Sequence, residues 1–375
     1  MIRDPAEFYR SIAVKPILNA SGPLTMYGGG RIRPEVVEVM SKVARTPVNM
    51  FDLNRSAGKY IAELIGSEAA FVSGGAAGGL VLQAAACIAG TDQSKIERMP
   101  DTSGMNNEII MQKCQRFAYD QAYRVAGANI VDVGDIDVCN HSQLESGFTD
   151  RTAAVAYLFA SHSSSGALPF DQVVAVARDK GVPVIVDAAN FLPPRANIKR
   201  ILEAGADMAI FSGGKGVKGP QGAGILCGRS DLIEAAAVNA SPNPAVGRGM
   251  KVAKEEIIGL MVGLKLFLEE DEEKENARYM EMCKAAVSIL GDIRGLIISV
   301  EHDETDYLIP TVAVRFNDDW SGPEEDKIYE ALADGDPPIA LRFLAGPGEI
   351  GIDPMNLDEH QIEEVAIRLK THLVS

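Results

Sequence analysis

The chain has 375 residues, 46% of them apolar, so it is long enough to bury the cores of two domains of ordinary size. Its 36 Lys and Arg residues, against 52 Asp and Glu residues, leave a formal net charge of −16. This charge repels polyanions at long range and disfavours a general nucleic-acid binder. An anionic ligand would need a basic pocket set into an acidic surface.

Targeting, membrane and metal signals are weak. The amino end carries acidic residues and no apolar signal sequence, and the most apolar stretch, 257–268, is interrupted by Lys265 and too short to cross a bilayer. The five cysteines include no CxxC pair, so we expect reduced thiols and no metal site. These features predict a cytoplasmic protein with no membrane partner.

From about residue 69, short apolar runs alternate with segments of helical period. This pattern is typical of a buried, mostly parallel sheet with crossover helices, so the sequence predicts an α/β fold. The predicted strands are Ala69–Ser73, Glu108–Lys113, Asn129–Val133, Ala153–Phe159, Val182–Asp187, Met208–Ser212 and Gly224–Cys227. The predicted helices are Gly75–Ala89, Phe117–Ala126, Asp171–Lys180 and Ile198–Ala204.

Two later segments depart from this alternation. The polar segment Thr91–Asn107 is long for a structureless connection, which favours a functional or mobile loop. A long helical stretch starts at Lys251, and we interpret its acidic run Glu269–Glu275 as a solvated helix face joining two domains. Beyond it, further elements predict a small α+β domain. They are strands at Leu296–Val300, Leu308–Phe316 and Ile339–Phe343 and helices at Pro323–Ala333 and Asp358–Leu373.

The predicted organisation therefore has four parts. These are an amino-terminal segment (1–65), a large domain around the central sheet (66–250), linking helices (251–290) and a small α+β domain (291–375).

Lys215 lies in the glycine-rich stretch FSGGKGVKGPQGAG, directly after a predicted strand. Glycines on both sides let the main chain approach a ligand closely, and apolar walls can lower the pKa of an amine enough to make it a nucleophile. A Schiff-base lysine needs both properties. The alternative is an ordinary surface lysine in a flexible glycine loop, and frequency alone favours that alternative.

Asp187 shifts the balance towards a cofactor site. It ends the apolar strand VPVIVD, at the edge where open α/β sheets bind ligands. An aspartate there can keep the ring nitrogen of pyridoxal phosphate protonated. Asp187 alone is weak evidence for a cofactor site, because carboxylates at strand ends often cap the next turn.

A third element is the turn FVSGGAAG, between a predicted strand and the helix Gly75–Ala89. Free amides and the positive dipole end of that helix make a phosphate seat, to which Ser73 and Ser212 could add hydroxyl donors. A tight strand-to-helix connection would use the same residues, and the turn is neither GxGxxG nor a P-loop. Lysine, aspartate and phosphate turn together indicate pyridoxal phosphate.

The chain resembles the fold-type I pyridoxal phosphate enzymes, which implies a mostly parallel central sheet with a smaller α+β domain. Within them it resembles the selenocysteine synthase-like group, and in particular its shorter bacterial members similar to D-glucosaminate-6-phosphate ammonia-lyase. The stretches that carry the resemblance are ILNASGPLTMYGGGRIRPEVVEVM, FVSGGAAGGLVLQAAA, KIERMPDTSGMNNEIIMQ, VPVIVDAANFLPP, FSGGKGVKGPQGAGIL and VGRGMKVAKEE. This group hosts several chemistries, so the resemblance defines the fold more sharply than the reaction.

The resemblance implies that Lys215 forms the Schiff base and that Asp187 partners the pyridine nitrogen. It implies a phosphate seat formed by Ser73, Gly74, Gly75, Ala76, Ala77 and Ser212. Arg248 and Lys251 match a basic pair that lines the active site in this group. Their three-residue spacing on a helical turn would point both at one phosphate or carboxylate, although two solvated basic residues are the alternative.

Further roles follow from the same resemblance. Gln115 stands where related chains have a histidine stacked on the cofactor ring. A glutamine can lie flat over the ring but cannot act as an acid or base near neutral pH. Independently of the resemblance, His162 in the stretch FASHSSSG, at another strand end, is an acid–base candidate, with a structural histidine equally compatible. The amino-terminal segment is expected to reach a neighbouring active site in a homodimer or higher homo-oligomer. The expected substrate-binding residues are Asn19, Ser21, Thr25, Arg248, Lys251 and Arg342.

The favoured reaction is a lyase that removes ammonia and water from a small hydroxylated amino acid, with or without a phosphate, to give a 2-oxo acid. Racemisation and aldol cleavage start from the same cofactor adduct and stay open. Selenium transfer to seryl-tRNA is disfavoured by the net charge of −16. The alternative outside the enzymes is a protein that binds pyridoxal phosphate without catalysing a reaction. The substrate, its stereochemistry and the oligomeric state are left open by the sequence.

Overall fold

The structure is a computed structural model that describes residues 4–159, 166–303, 306–343 and 348–374. The chain divides into two compact units. The larger unit is Ile32–Glu269, and the smaller one combines the residues up to Arg31 with those from Glu270 onward. In the described ranges no helix is both long and apolar enough to cross a membrane.

The strands are given in chain order. They are β1 (Leu18–Ala20), β2 (Ala69–Gly74), β3 (Glu108–Gln112), β4 (Asn129–Val133), β5 (Thr152–Leu158), β6 (Val184–Asp187), β7 (Met208–Ser212), β8 (Ala223–Gly228), β9 (Leu296–Asp303), β10 (Tyr307–Phe316), β11 (Ile339–Phe343) and β12 (Glu349–Ile352).

The helices follow in the same order. They are α1 (Pro5–Ser11), α2 (Pro34–Val43), α3 (Met50–Ile65), α4 (Gly75–Ala89), α5 (Gln93–Arg98), α6 (Gln121–Val125), α7 (His141–Ser146), α8 (Phe170–Asp179), α9 (Ala196–Glu203), α10 (Ser230–Val238), α11 (Lys254–Glu269), α12 (Glu272–Leu290), α13 (Glu325–Ala333) and α14 (Glu359–Leu373). Short 3-10 turns occupy Thr25–Tyr27, Lys113–Gln115 and Ala118–Asp120.

The larger unit is built on a seven-stranded sheet with the order β2-β8-β7-β6-β5-β3-β4 in the described residues. Strand β8 is antiparallel to both of its neighbours, and the other pairs are parallel. Asp187 at the end of β6 lies opposite Leu158 and Ile210, so the ends of β5, β6 and β7 meet at one edge. Ligands bind at this edge in open α/β sheets.

The central strands are apolar throughout because both sheet faces are covered. Along β5, Val155 and Tyr157 point into one core cluster, whereas Ala154 and Ala156 point into the other. This alternation is the two-residue period of a strand, and helices packed on both faces require apolar residues at every position. The mostly parallel α/β sheet predicted from the sequence is confirmed.

The smaller unit contains a five-stranded sheet with the order β1-β11-β12-β10-β9 in the described residues. Strand β1 pairs in parallel with β11, and the other pairs are antiparallel. Helices α12 and α14 contribute apolar residues such as Cys283 and Leu369 to its core. An α+β unit was expected here, but the contribution of amino-terminal β1 to its sheet was not.

Three predicted elements need correction. The expected helix over Phe117–Ala126 is a 3-10 turn followed by α6, because Phe117 has an extended main chain with φ −153° and ψ 169°. Thr91–Asn107 contains α5, which begins where the Asp92 side chain accepts the Ser94 and Lys95 N–H groups. The acidic run Glu269–Glu275 is not one helix face: α11 ends at Glu269, and Asp271 caps the start of α12.

The domain boundaries predicted near residues 65, 250 and 290 concern units that fold independently. The two compact units do not test this, so these boundaries stay a prediction.

Candidate active site

Asp187 and Lys215 lie at the ends of neighbouring strands of the larger unit. Asp187 is 4% exposed, and its Oδ1 accepts the Ala189 N–H at 2.9 Å. Lys215 follows β7 in a turn closed by the bond from the Lys218 N–H to the Lys215 carbonyl, 2.8 Å long. In the described residues the Lys215 amine has no hydrogen-bond or ion-pair partner, so it is available to a ligand.

The electrostatics of this pair oppose full ionisation. Burial raises the pKa of the Asp187 carboxyl above its ordinary value. Burial also lowers the pKa of the Lys215 amine, while the attraction of Asp187 acts in the opposite direction. An amine with a lowered pKa is more often neutral, and only the neutral amine is a nucleophile or a base.

Glycines around Lys215 allow close contacts that a Cβ would block. A Cβ on Gly214 would lie 2.3 Å from the Gln221 Cα, and one on Gly216 would lie 2.3 Å from the Leu192 carbonyl oxygen. Gly219 donates its N–H to the Gly213 carbonyl at 2.9 Å, which closes a second turn. The glycine-rich stretch is therefore a packed support for the lysine, not a flexible loop.

The turn between β2 and α4 presents the amino end of a long helix. The N-cap is Gly74, and no side chain caps α4 in the described structure. The Gly75 N–H donates to the Gly222 carbonyl at 2.9 Å, and the buried Ser73 hydroxyl donates to the Gly75 carbonyl at 2.8 Å. The next amides, of Ala76 and Ala77, are those that a helix start leaves for an anion.

The strand register places Ser73 and Ser212 on the two sides of one residue. Both lie opposite Gly224 of β8, Ser73 from β2 and Ser212 from β7. Ser212 is partly exposed. A Cβ on Gly224 would lie 2.8 Å from the Ser73 Oγ, so glycine at this position leaves room for the Ser73 hydroxyl.

Arg248 and Lys251 open onto a cavity of about 440 Å³ that Ser73 and Gly74 also line. Both basic side chains are exposed, and neither has an ion-pair or hydrogen-bond partner among the described residues. The turn that carries them is packed on the phosphate turn, because a Cβ on Gly74 would lie 2.7 Å from the Met250 carbonyl oxygen. Arg248 and Lys251 thus line one cavity, whose wall also includes Glu255 and Glu256, and binding of an anion there stays a prediction.

The helical turn expected for Arg248 and Lys251 is wrong. Both precede α11, in a tight turn in which Arg248 donates its N–H to Ala245 and Met250 donates to Gly247. The helix starts later because the Glu256 carboxylate accepts the Ala253 N–H at 3.1 Å, as in one half of a capping box.

The side-chain amides of Gln115 and Gln112 each donate one hydrogen bond to, and accept one from, the main chain of a single residue, as a neighbouring strand would. The Gln115 nitrogen donates to the Leu158 carbonyl at 3.2 Å, and its oxygen accepts the Leu158 N–H at 3.3 Å. Gln112 pairs in the same way with Leu168, at 3.4 and 2.6 Å. Both glutamines are buried. Contact of Gln115 with a cofactor ring stays a prediction, and His162 lies outside the described residues.

The amino-terminal candidates lie in the smaller unit and mainly bond one another. The Asn19 oxygen accepts from the Ser21 hydroxyl at 2.8 Å, and the Asn19 nitrogen donates to the Gly22 carbonyl at 3.0 Å. Thr25 is exposed at the start of a 3-10 turn. Asn19 and Ser21 therefore shape a loop, and their role towards a substrate stays a prediction.

Arg342 of β11 is joined to a residue that the sequence reasoning missed. Its Nη1 donates to the Thr311 hydroxyl at 3.0 Å and to the Asp353 carboxylate at 3.1 Å. Asp353 follows β12 and is 1% exposed. The stretch EIGID, an apolar run ending in aspartate, is the signal that would have found both the strand and the carboxylate.

These groups fit the three chemical parts of pyridoxal phosphate. Lys215 provides, for an aldehyde, an amine that has no partner in the described part of the chain. Asp187 provides a buried carboxylate for a protonated ring nitrogen, and the start of α4 provides amides for a phosphate. Fold and site together define a fold-type I pyridoxal phosphate-dependent enzyme.

Comparison with known proteins places the chain in a family. Residues 36–250 match the family model "Aminotransferase class-V", and the chain belongs to this family. It is 33% identical, over an alignment of 376 residues, to the 5'-C-glycyluridine monooxygenase-decarboxylase of a Streptomyces species, covering 98% of this chain and 92% of that protein.

Two other similarities agree with the resemblance seen in the motifs. The chain is 29% identical over 368 residues to the D-glucosaminate-6-phosphate ammonia lyase of Salmonella typhimurium, covering 96% of each. A solved structure of D-glucosaminate-6-phosphate ammonia-lyase superposes with a TM-score of 0.83 at 28% identity, over 98% of this chain and 99% of that one. The L-seryl-tRNA(Sec) selenium transferase of Carboxydothermus hydrogenoformans is 24% identical over 286 residues, 68% of this chain and 56% of that protein. The predicted fold type, cofactor and selenocysteine synthase-like relatives are confirmed.

Proposed function

We propose that this protein is a pyridoxal phosphate-dependent lyase that releases ammonia from a small hydroxylated amino acid bearing a phosphate, and yields a 2-oxo acid. The observation that carries the proposal is the partly buried Lys215 amine, which has no bonding partner among the described residues and lies in the same unit as the cavity lined by Arg248 and Lys251. The similarity to an enzyme named D-glucosaminate-6-phosphate ammonia lyase supports the same substrate class.

In this proposal Lys215 has two tasks. Its amine would hold the cofactor covalently, and the same amine, when free and neutral, would take the proton from the substrate's α-carbon. Bound pyridoxal phosphate supplies an electron-withdrawing ring that stabilises the negative charge left on that carbon. Asp187 keeps the proton on the ring nitrogen, because a buried carboxylate gains most when a positive charge lies beside it. Lys215, protonated by that step, would pass its proton to the β-hydroxyl, which would leave as water. Addition of water to the imine of the released product would then give ammonia and the 2-oxo acid.

Arg248 and Lys251 bind the substrate phosphate in the same proposal. Two cations without acidic partners in a cavity gain more from an anion than cations that are already paired. The glutamates in the cavity wall are engaged elsewhere: Glu255 pairs with Lys254 at 3.1 Å, and Glu256 accepts the Ala253 N–H.

The test is an assay for ammonia and 2-oxo acid on β-hydroxy amino acids of both configurations, each with and without a distal phosphate. We expect Arg248→Ala to raise the KM of phosphorylated substrates about tenfold or more with a smaller effect on kcat. Lys199→Ala, at an exposed lysine of α9, is the matched control and should change neither constant. Absence of ammonia from every substrate overturns the proposal. Interconversion of the two configurations without ammonia would establish a racemase.

A second candidate, oxidative decarboxylation of an amino acid, is favoured by the 33% identity to a protein named monooxygenase-decarboxylase. The same assays, run under air and under nitrogen with an oxygen electrode and carbon dioxide detection, separate the two. A lyase releases ammonia at equal rates in both atmospheres, whereas an oxygenase needs air.

We also propose that the protein works in the cytoplasm as a homodimer or a higher homo-oligomer, without nucleic acid. Large apolar side chains exposed on the described surface support self-association, among them Met26 at 75% and Phe51 at 52%. Light scattering coupled to size-exclusion chromatography tests this, and a monomer at micromolar concentration would contradict it.

A further inference from the structure

Gln83 is a polar side chain buried in the apolar helix α4 of the larger unit. It is 0% exposed, and among the buried residues of α4, which the structure describes throughout, it is the only one with a polar side chain. Its side-chain nitrogen donates to the Val186 carbonyl at 3.1 Å and to the Met208 carbonyl at 3.4 Å. Its side-chain oxygen has no hydrogen-bond partner among the described residues. Burying a half-satisfied amide costs free energy that an apolar residue would avoid, so packing alone does not account for Gln83.

The two acceptors lie on the strands that lead to the cofactor site. Val186 directly precedes Asp187 in β6, and Met208 begins β7, after which the chain reaches Lys215. The two strands pair in parallel, with Val186 opposite Ala209. A single side-chain nitrogen therefore joins both strands to α4.

The same helix carries the proposed phosphate seat. It begins at Gly75, and Gln83 follows about two turns later. Between them, a Cβ on Gly79 would lie 2.4 Å from the Ile210 side chain, so the helix lies directly against β7. Apolar contact is non-directional and restrains sliding of the helix along the sheet less than hydrogen bonds of fixed direction do. The Gln83 amide is thus suited to setting the position of α4 along β6 and β7.

We propose that Gln83 is a positioning residue that sets the spacing between the phosphate seat at the start of α4 and the Asp187 and Lys215 side chains. Pyridoxal phosphate is a short, stiff ligand that must reach both ends of this site at once, so its affinity depends on their spacing. A ligand that binds at only one end gains nothing from a correct spacing. The role assigned to Gln83 rests on the cofactor contacts predicted for these residues and not on which reaction the protein catalyses.

The test measures dissociation constants of the cofactor-free protein for pyridoxal phosphate, for pyridoxal without the phosphate, and for inorganic phosphate alone. Absorption spectra follow the first two ligands, and calorimetric titration follows the third. Gln83→Met keeps a side chain of similar size that donates no bond, and its affinity for pyridoxal phosphate should fall about tenfold. Its affinities for pyridoxal and for inorganic phosphate should change by less than about twofold. Leu80→Met, at a buried leucine of the same helix, is the control and should leave all three affinities unchanged.

Gln83→Glu provides a graded variant. A carboxyl that is buried among apolar residues and faces two carbonyl oxygens stays protonated, so it keeps one donor where glutamine has two. Its affinity for pyridoxal phosphate should therefore lie between those of wild type and Gln83→Met. If Gln83→Met does not fold, Gln83→Glu by itself must show a loss confined to pyridoxal phosphate.

Two results would overturn the inference. Equal weakening of all three ligands would show a general loosening of the larger unit, and full affinity for pyridoxal phosphate in Gln83→Met would show that packing alone holds the spacing. None of these titrations needs turnover, so absence of ammonia release would refute the lyase and leave the role of Gln83 standing.

Discussion

Gln115 pairs with Leu158 as a neighbouring strand would, through one donated and one accepted bond to the same residue. The next residue, Phe159, donates its N–H to the Asp187 carbonyl at 2.8 Å. Gln115 therefore holds the end of β5, and β5 in turn holds the main chain of the buried carboxylate. A histidine ring could not reproduce both amide bonds, which gives glutamine a structural reason to be here.

Loss of the Gln115 amide should destabilise the larger unit. Gln115→Ala removes both amide bonds to the Leu158 main chain, and we expect a fall in unfolding free energy of about 1–3 kcal/mol. Urea unfolding measures this, with Gln121→Ala at an exposed glutamine as the control. Equal stability of the two variants would show that the amide pairing contributes nothing.

Asp187 should make the stability of the cofactor-free protein depend on pH. Burial raises its pKa, so between its ordinary value near 3.9 and the raised value the folded chain keeps a proton that the unfolded chain loses. The stability from this protonated carboxyl is complete below pH of about 4 and is lost as pH rises through the raised pKa.

Asp187→Asn removes that titration, so its stability relative to wild type should increase from acidic to neutral pH. Asp150→Asn, at an exposed aspartate, should show no such trend. Unfolding free energies of the cofactor-free proteins at several pH values provide the measurement. A difference independent of pH would mean that Asp187 has an ordinary pKa.

Gly74 and Gly78 offer a matched pair of glycine substitutions beside Met250. A Cβ on Gly74 would overlap the Met250 carbonyl, whereas one on Gly78 would lie 3.7 Å from the Met250 side chain, an ordinary contact. Gly74→Ala should displace the turn of Arg248 and Lys251, with a cost of about 1–3 kcal/mol and weaker phosphate binding.

Gly78→Ala should instead stabilise α4 by about 0.5–1 kcal/mol, because alanine loses less main-chain entropy in a helix interior. Thermal unfolding and calorimetric titration with inorganic phosphate measure both effects. If the two variants bind phosphate equally well, the close contact of Gly74 with Met250 has no bearing on the anion site.

Elements with strong local signals could be predicted from the sequence. The bounds of α4, β4, β7 and β11 agree with the prediction, because apolar runs and glycine turns mark their ends. Strand β1 could not be recognised, since it has three residues and pairs with β11, more than 300 residues away. The short strand β12 was also not predicted. Asp353, which directly follows it and accepts a bond from Arg342, was therefore missed as well.

The site was predictable in its residue types but not in its local geometry. Lys215, Asp187 and the α4 turn follow strand ends, and the topology of an open sheet brings such ends together. Which partners an amide takes depends on packing at long range, as with Gln115 and Leu158. The bond from the Ala253 N–H to the Glu256 carboxylate was equally unpredictable. It sets the start of α11 and leaves Arg248 and Lys251 in the preceding turn.

The most direct test of the cofactor site is borohydride reduction of the protein loaded with pyridoxal phosphate, followed by peptide mass spectrometry. Reduction converts the Schiff base into a stable phosphopyridoxyl-lysine, so the modified peptide identifies the lysine that holds the cofactor. We predict modification at Lys215, together with loss of the visible absorption band in Lys215→Ala. Modification at another lysine, or a band that survives Lys215→Ala, would contradict the account.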